Sequence, residues 1–417
     1  MKASSRNLLL IYLGAWQRSF SIGLLGVVLG VFLYRQGLSS TAIGLVIAAG
    51  LAGAATATTF IAFHADRLGR RKTLVVLSLL TMVGSLPLVF NWETRGHWGM
   101  AALVALAFVG MLNGMGTDRS ASYALEQAVL PSLVPDQKRT WVFSWYNLVL
   151  DGSGALGALA AGLPVLEQRL WGIDLLHSYR TLFIGYAALN LLAGLFYSLL
   201  TPEVEVAHTQ SLAGQSKLVS PEAKTMVMRL SALFAIDSLG GGFLLDALVS
   251  YWFFRRFGIA EGTLAVLFFV IHILNAVSHL GAAFLAQRIG LVKTMVFTHL
   301  PSSLFLIAVP FAPSAGWAMA LLLLRESLVE MDVPTRQSYV AAVVRPVERT
   351  FASGITNLTR NIAWAVSSAV AGLYMQNIAL AAPLWMGGGL KIVYDILLWR
   401  AFRHITPPEE EGTGDRG

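Results

Sequence analysis

In the run LLLLRESLVEMDVPTR, residues 321–336, Glu326 and Glu330 lie one helical turn apart among leucines. Two carboxylates sharing a helix face in a low-dielectric setting resist ionising together, so one is expected to keep its proton. Arg325 and Asp332 share another face, and Asp332 and Arg336, four apart, can pair; a compensating ion-pair network and a working site are equally open readings there. Elsewhere ionisable residues interrupt apolar stretches in ones and twos: Arg18, then Asp118, Arg119 and Glu126, then Asp151, Asp237, Asp246 and Arg360. On the fourth predicted helix Arg119, Tyr123 and Glu126 share a face, so Arg119 either offers a cation to an anionic substrate or neutralises Glu126. Asp237 and Asp246 are about half a turn apart around a regular helix. One at most faces a common cavity unless Gly240, Gly241 and Gly242 unwind the segment, and Asp237 is the preferred one.

The elements that must hold these groups follow from composition. Of 417 residues, 56% are hydrophobic and 13% charged, whereas a soluble chain is about one quarter charged. This is an integral membrane protein, and its helices need about 20 apolar residues each to cross the hydrocarbon. Apolar runs fall at 8–34, 42–63, 73–90, 98–130, 140–165 and 181–200, then at 228–254, 262–285, 294–312, 316–340, 350–374 and 383–402, which makes twelve predicted spans in two sets of six. The first run lacks a small-residue cleavage site and reads as a retained helix. The expected organisation is a six-helix bundle over 1–200, a polar linker over 201–226, a second bundle over 227–405 and a disordered tail over 406–417. No cysteine is present, which excludes disulfides, thiolate metal sites and cysteine catalysis.

Positive charge gives the orientation, since cytoplasmic loops keep Lys and Arg. Eighteen of the basic residues fall on the side of the N-terminus, among them Arg67, Arg70, Arg71 and Lys72, against six on the other: Arg35, Arg95, Arg169, Arg180, Arg255 and Arg256. Both termini are therefore expected in the cytoplasm, and the net charge of +7 is topological, which argues against nucleic-acid binding. The chain also repeats itself. A slide of 221 residues lays ADRLGRRKTLVV, from Ala65, over AQRIGLVKTMVF, from Ala286, and FLYRQG over FFRRFG. A slide of 210 pairs Gln127, Arg139, Thr140 and Asn147 with Gln337, Arg349, Thr350 and Asn357, and sets Asp151 over Asn361 beside Arg360.

Twelve spans, a central linker, a parallel six-span repeat and the stretch FHADRLGRRKTL at 63–74 together resemble the major facilitator superfamily. Its loop signature between spans 2 and 3 is matched by Asp66, Arg67, Gly69, Arg70 and Arg71, with Ala62 in place of the leading glycine. A weak echo of the span 5 signature of antiporters stands at Gly157–Gly162, without its proline and one glycine. The resemblance implies an all-α integral membrane fold of two six-helix bundles around a central cavity, in a functional monomer of the inner membrane. It also implies a secondary transporter of a small solute by alternating access, with proton-coupled efflux expected and a proton-coupled symporter or a facilitator for uptake of a polar metabolite the alternative; a non-transporting membrane sensor of the same fold is the less favoured reading.

In that family spans 1, 4, 7 and 10 line the cavity, with 5 and 11 beside them and 3, 6, 9 and 12 towards lipid. Arg18, Asp118, Arg119, Glu126, Asp151, Asp237, Arg325, Glu326, Glu330 and Arg360 all fall on cavity spans, where a substrate or proton-coupling role is expected. Lys391 and Asp395, on span 12, are expected to form a structural pair or to snorkel to the interface. Asp66 is expected to latch onto the start of span 11 near Thr350, with Arg67 or Arg71 nearby; a simple topology signal is the compatible, plainer reading of the loop. His272 and His279 could relay protons, but ordinary hydrogen-bonded buried histidines are preferred. No nucleotide-binding loop occurs. GMGTD at 114–118 has one residue too many for a membrane aspartyl protease, and no metal-spaced histidines occur, so neither an enzyme nor a cofactor is expected.

Overall fold

The computed structural model describes residues 3–90, 97–118, 120–134, 139–205, 220–333, 336 and 349–402, and its regular structure there is helical. In a bilayer a backbone N–H has no water to turn to, so helices that satisfy themselves are the expected element. The first set of spans forms α1 (Ala3–Arg35), α2 (Ser40–Leu68), α3 (Arg70–Gly84), the single turn α4 (Leu86–Val89), α5 (His97–Val109), α6 (Ala121–Val129), α7 (Arg139–Ala160), α8 (Leu163–Trp171) and α9 (Leu175–Ser198). The second forms α10 (Pro221–Gly242), α11 (Asp246–Phe257), α12 (Glu261–Ile289), α13 (Leu291–Ala308), α14 (Ala315–Val329), α15 (Arg349–Asn377) and α16 (Ala382–Phe402). Eight stretches among the described residues are long and apolar enough to cross a membrane.

Several predicted spans are broken, and two of the breaks lie beside the candidate site residues. The run 98–130 is not one helix but α5 and α6, separated by a loop in which Met111 (φ 52°) and Gly116 (φ 83°) turn left-handed. The sequence GMLNGMGTDRS supplies the means. Asn113 Oδ1 accepts from the Met115 N–H at 2.7 Å, its Nδ2 donates to the Thr117 carbonyl at 3.0 Å, and Ser120 caps α6 by accepting from the Tyr123 N–H. These side-chain bonds offer the backbone an alternative to the helix ladder. α6, which carries Tyr123 and Glu126 on one face, begins only at Ala121, and Arg119 lies outside the described residues. The run 228–254 likewise divides into α10 and α11 after Gly240–Gly242. A Cβ on Gly242 would lie 2.0 Å from Ser367 Oγ and 2.7 Å from the Trp364 carbonyl, so only glycine lets α10 approach α15 so closely.

The 221-residue repeat is visible in the backbone. Gly69 (φ 93°) and Gly290 (φ 89°) occupy the same turn, each N–H donating to the carbonyl four residues back, Ala65 or Ala286. In both copies the following threonine, Thr73 or Thr294, donates its hydroxyl to that glycine's carbonyl at 2.8 Å. Gly37 (φ 83°) and Gly258 (φ 66°), also 221 residues apart, are both left-handed after α1 and α11. The first loop has one further device. Cations at the start of α3 oppose its dipole, but Glu205 supplies the missing anion, accepting from the Arg70 N–H at 2.6 Å and the Arg71 N–H at 3.2 Å. The side chains of Asp66, Arg67 and Thr350 lie outside the described residues, and the expected latch with them.

Contacts divide the chain into two compact units. One comprises Met1–Gln210, Leu245–His272 and Ser368–Leu380, the other Ser211–Leu244, Ile273–Ser367 and Ala381–Gly417. Within the first, α1 lies along α7 at backbone contact. A Cβ on Gly23 would sit 2.1 Å from the Gly154 carbonyl oxygen, and one on Gly157 would sit 1.9 Å from that of Phe20. Between membrane helices there is little hydrophobic gain, so small residues that admit dense packing hold them together. Gly23→Leu should therefore force α1 and α7 apart at a cost of about 1–3 kcal/mol, lowering the thermal midpoint in detergent by several degrees. Gly152→Ala, with nothing within 4 Å of its new methyl, should leave the midpoint unchanged or slightly higher.

Candidate functional site

Within the first unit α1 carries Arg18 into a buried polar cluster. Its Nε lies 2.7 Å from Asp118 Oδ2, and its two terminal nitrogens grip Glu126 on α6 at 3.0 and 2.7 Å. That is the two-pronged geometry for which a guanidinium is suited. Tyr146 of α7 donates to Glu126 Oε2 at 2.5 Å and Tyr197 of α9 donates to Oε1. Gly14 leaves room for the Tyr197 ring, which a Cβ there would meet at 2.6 Å. Asp118 also holds the Ser120 N–H, tying the cluster to the break between α5 and α6. Beside it is a cavity of about 20 Å³ bounded by Arg18, Asn113, Ser122, Tyr186 and Asn190, enough for one water. Glu126 is thus neutralised by Arg18, the role that the sequence allowed to Arg119. Asp151 is half-buried on α7.

The second unit gathers charge around Asp237. Its Oδ1 receives Lys391 Nζ at 2.9 Å with His299 Nε2 at 3.8 Å, and its Oδ2 faces Arg336 at 3.5 Å and Arg360 at 3.9 Å. Arg360 also donates to Ser238 and lies over the Trp364 ring, 4.8 Å from its centroid. Arg336 pairs with Asp332, as their spacing predicted, and Arg325 meets its neighbour Glu326. Glu326 is buried, while Glu330 is half-buried where α14 ends. The cluster extends through His299, whose Nδ1 is 2.9 Å from Asp395 and whose Nε2 is 3.2 Å from Lys391 Nζ. An ammonium can only donate, so Nε2 accepts from it and Nδ1 carries the proton given to Asp395.

This corrects the expectation for span 12. Lys391 and Asp395 neither form an isolated pair nor snorkel; both are buried and reach Asp237 and His299 respectively. Residues four apart share a face, and here that face turns inward because a carboxylate and an imidazole wait there. Sequence reasoning missed His299 because span 9 holds no other charged residue, although a histidine and a lysine in neighbouring apolar spans were the available signal. His272 pairs with Asp246 at 3.3 Å, and the side chain of His279 lies outside the described residues.

A third group joins the two sets of spans inside the first unit, at the end where α1 finishes. Glu261, at the start of α12 and 1% exposed, receives Arg35 of α1 at 2.7 Å and the Tyr179 hydroxyl of α9 at 2.6 Å. Arg255 of α11 stacks on Tyr34 at 4.5 Å and donates to Tyr251, whose hydroxyl meets Ser40 at 2.7 Å. Below this, Ser250 donates to the Val27 carbonyl at 2.8 Å, and the Ala247 N–H donates to that of Gly114. The sequence had assigned Arg35 and Arg255 to topology alone.

A family model described as the Major Facilitator Superfamily matches residues 11–329. An uncharacterized membrane protein of Saccharomyces cerevisiae, YJR124C, is 25% identical over 427 residues, covering 95% of this chain and 94% of its own. Among solved structures, a D-xylose-proton symporter superposes with a TM-score of 0.74 at 14% identity, covering 96% of this chain and 98% of that one. The nucleoside transporter NupG gives 0.68 at 16% identity, covering 97% and 100%. At such identities the likeness concerns the fold.

The Arg18 cluster makes a stability prediction. Arg18→Leu strands two buried carboxylates and should cost about 3–5 kcal/mol, read as a large loss of thermal midpoint in detergent. Arg18→Leu combined with Asp118→Asn and Glu126→Gln removes all the charge together and should regain most of that loss; a triple variant no better than the single one would refute the pairing.

Proposed function

The chain belongs to the major facilitator superfamily, whose members are membrane transporters and not enzymes, and we propose that it moves a small polar solute by alternating access coupled to protons. The observation that carries the coupling is the hydrogen-bonded chain Asp395–His299–Lys391–Asp237, an acid, an imidazole, an amine and an acid in contact within an apolar bundle. Charges so placed are costly to insert, at least about 2.5–3.5 kcal/mol each on insertion scales, and a working role is the default reading. Arg360 and Arg325, together with Glu326 and Glu330 on the α14 side, are the proposed solute and proton contacts of this half. Arg18, Asp118, Arg119, Glu126 and Asp151 are those of the other.

Each half of the sequence, 1–200 and 227–405, acts as one rocking body in this reading, with Asp66, Arg67, Gly69, Arg70 and Arg71 as the latch on the cytoplasmic side. The Arg35–Glu261–Tyr179 contact is the opposing latch. The eighteen-to-six bias of basic residues supports a multi-pass protein of the cytoplasmic membrane with both termini inside. Export by antiport is the direction that the sequence pattern favours. Uptake by symport is the second reading, supported by the fold shared with a D-xylose-proton symporter and a nucleoside transporter.

Proteoliposomes loaded with a pH-sensitive dye and screened with pentoses, hexoses and nucleosides test both. Addition of the true solute should evoke proton movement, whose sign separates antiport from symport. Asp237→Asn and Glu326→Gln should each abolish proton-driven accumulation while leaving solute exchange measurable; accumulation at the intact rate in both would exclude these carboxylates from coupling. The opposing latch is open to a separate test, because the chain has no native cysteine. A cysteine placed at Val27, which is 0% exposed, should be modified slowly by an impermeant maleimide and several-fold faster when Glu261→Gln is added. An unchanged rate would show that Glu261 does not hold that end closed.

A further inference from the structure

A groove of about 860 Å³ runs along the first unit where α1, α7, α8 and α12 meet. One wall is a stripe of residues at three- and four-residue spacing, Leu156, Leu159, Leu163 and Leu166, that ends in Arg169. Trp16 and Phe20 of α1 form the opposite wall, stacked on each other at 5.3 Å, and Val266 closes it from α12. Leu156, Leu166 and Val266 are 46%, 48% and 52% exposed, so the groove opens outward rather than into the bundle.

Three observations identify its occupant. Leu156 and Arg169 are thirteen residues apart, about 20 Å at the helical rise, while half the hydrocarbon thickness is about 15 Å. With Leu156 near the midplane, Arg169 stands at headgroup level, where the neighbouring Trp171, 68% exposed, also belongs as an interfacial anchor. The line is apolar until its last member, which is a cation. Glu167 is two positions from Arg169 and so about 200° around the helix, and it does not border the groove. Finally, the floor is made jointly by the two sets of spans. A Cβ on Gly162 would touch Gly262 Cα and Ala265 Cβ, each at 3.3 Å, so the groove exists only while α7 and α8 lie against α12.

We propose that this groove is a phospholipid site in which one acyl chain lies along the leucine stripe against Trp16 and an anionic headgroup meets Arg169. A lipid seated there bridges both sets of spans at the end held by Arg35 and Glu261, and so favours the state in which that end is closed. The site stands on the fold alone and is independent of which solute is carried or in which direction.

The test uses the full chain in nanodiscs containing phosphatidylglycerol or phosphatidylcholine with a diazirine on the acyl chain. Crosslinks should concentrate on peptides bearing Trp16, Leu156–Leu166 and Val266, with phosphatidylglycerol favoured about five-fold, as one surface cation near a headgroup would give. Arg169→Gln should equalise the two lipids and Arg169→Lys should preserve the preference. Val266→Trp, which fills the groove from α12, should reduce labelling there with either lipid. Labels spread evenly over exposed positions such as Leu191, Leu195, Phe297 and Leu304 would reduce the groove to ordinary annular contact and overturn the proposal. So would a headgroup preference that survives Arg169→Gln.

Discussion

A charge buried among apolar helices has to be matched within a few ångströms, and much of this molecule is arranged around that requirement. Each buried cluster draws its members from several helices. Arg18 of α1 needs Asp118 from the break before α6 and Glu126 from α6 itself; Asp237 of α10 needs Lys391 of α16, Arg360 of α15 and Arg336. Removing one partner is costlier than removing the group, because the survivor stays in low dielectric without its counter-charge. The polar clusters therefore do for helix register what hydrophobic burial does in water, where here lipid competes equally well for every leucine.

The breaks in the helices answer to the same constraint. An interrupted helix exposes donors and acceptors that lipid cannot satisfy, so interruption is tolerated where protein supplies partners. Between α5 and α6 the supply is local, from Asn113, Asp118 and Ser120. It is also distant, since the Gly114 carbonyl accepts the Ala247 N–H in the first turn of α11. One discontinuity is thus completed by the other. Glycines set how closely the chain is approached at these points, as Gly26 does against the Gly116 backbone and Gly116 against the Asp246 side chain.

Much of the fold was legible because membrane helices announce themselves by length, and because Gly37, Gly69, Gly258 and Gly290 mark turns that only left-handed residues make easily. The repeat was legible for the same reason. The clusters were legible in part. Arg18, Asp118, Glu126, Asp237 and Arg360 stood out as charges in apolar runs, but which partner each would take did not, since pairing depends on helix rotation. Arg119 was the nearest cation to Glu126 in sequence, while Arg18, 108 residues away, is its partner in space. His299 and Glu205 went unnoticed for opposite reasons, one being the lone ionisable group of its apolar span, 294–312, and the other one of several acids in a polar linker. The sequence bias that placed Arg35 and Arg255 in loops was sound as topology, but it carried no information about Glu261 or Tyr34.

The Arg35–Glu261 contact has a consequence for the medium in which this protein works. Dissolved ions weaken attractions between charges separated by about a Debye length, 8 to 10 Å at ordinary ionic strength. Glu261 is 1% exposed, its partner is 2.7 Å away, and Tyr179 shields it from a third helix. Solvent reaches the contact only from the side of Arg35, whose side chain is 35% exposed. A contact so short, with one partner buried, is accordingly weakened by added salt less than a pair of exposed charges would be.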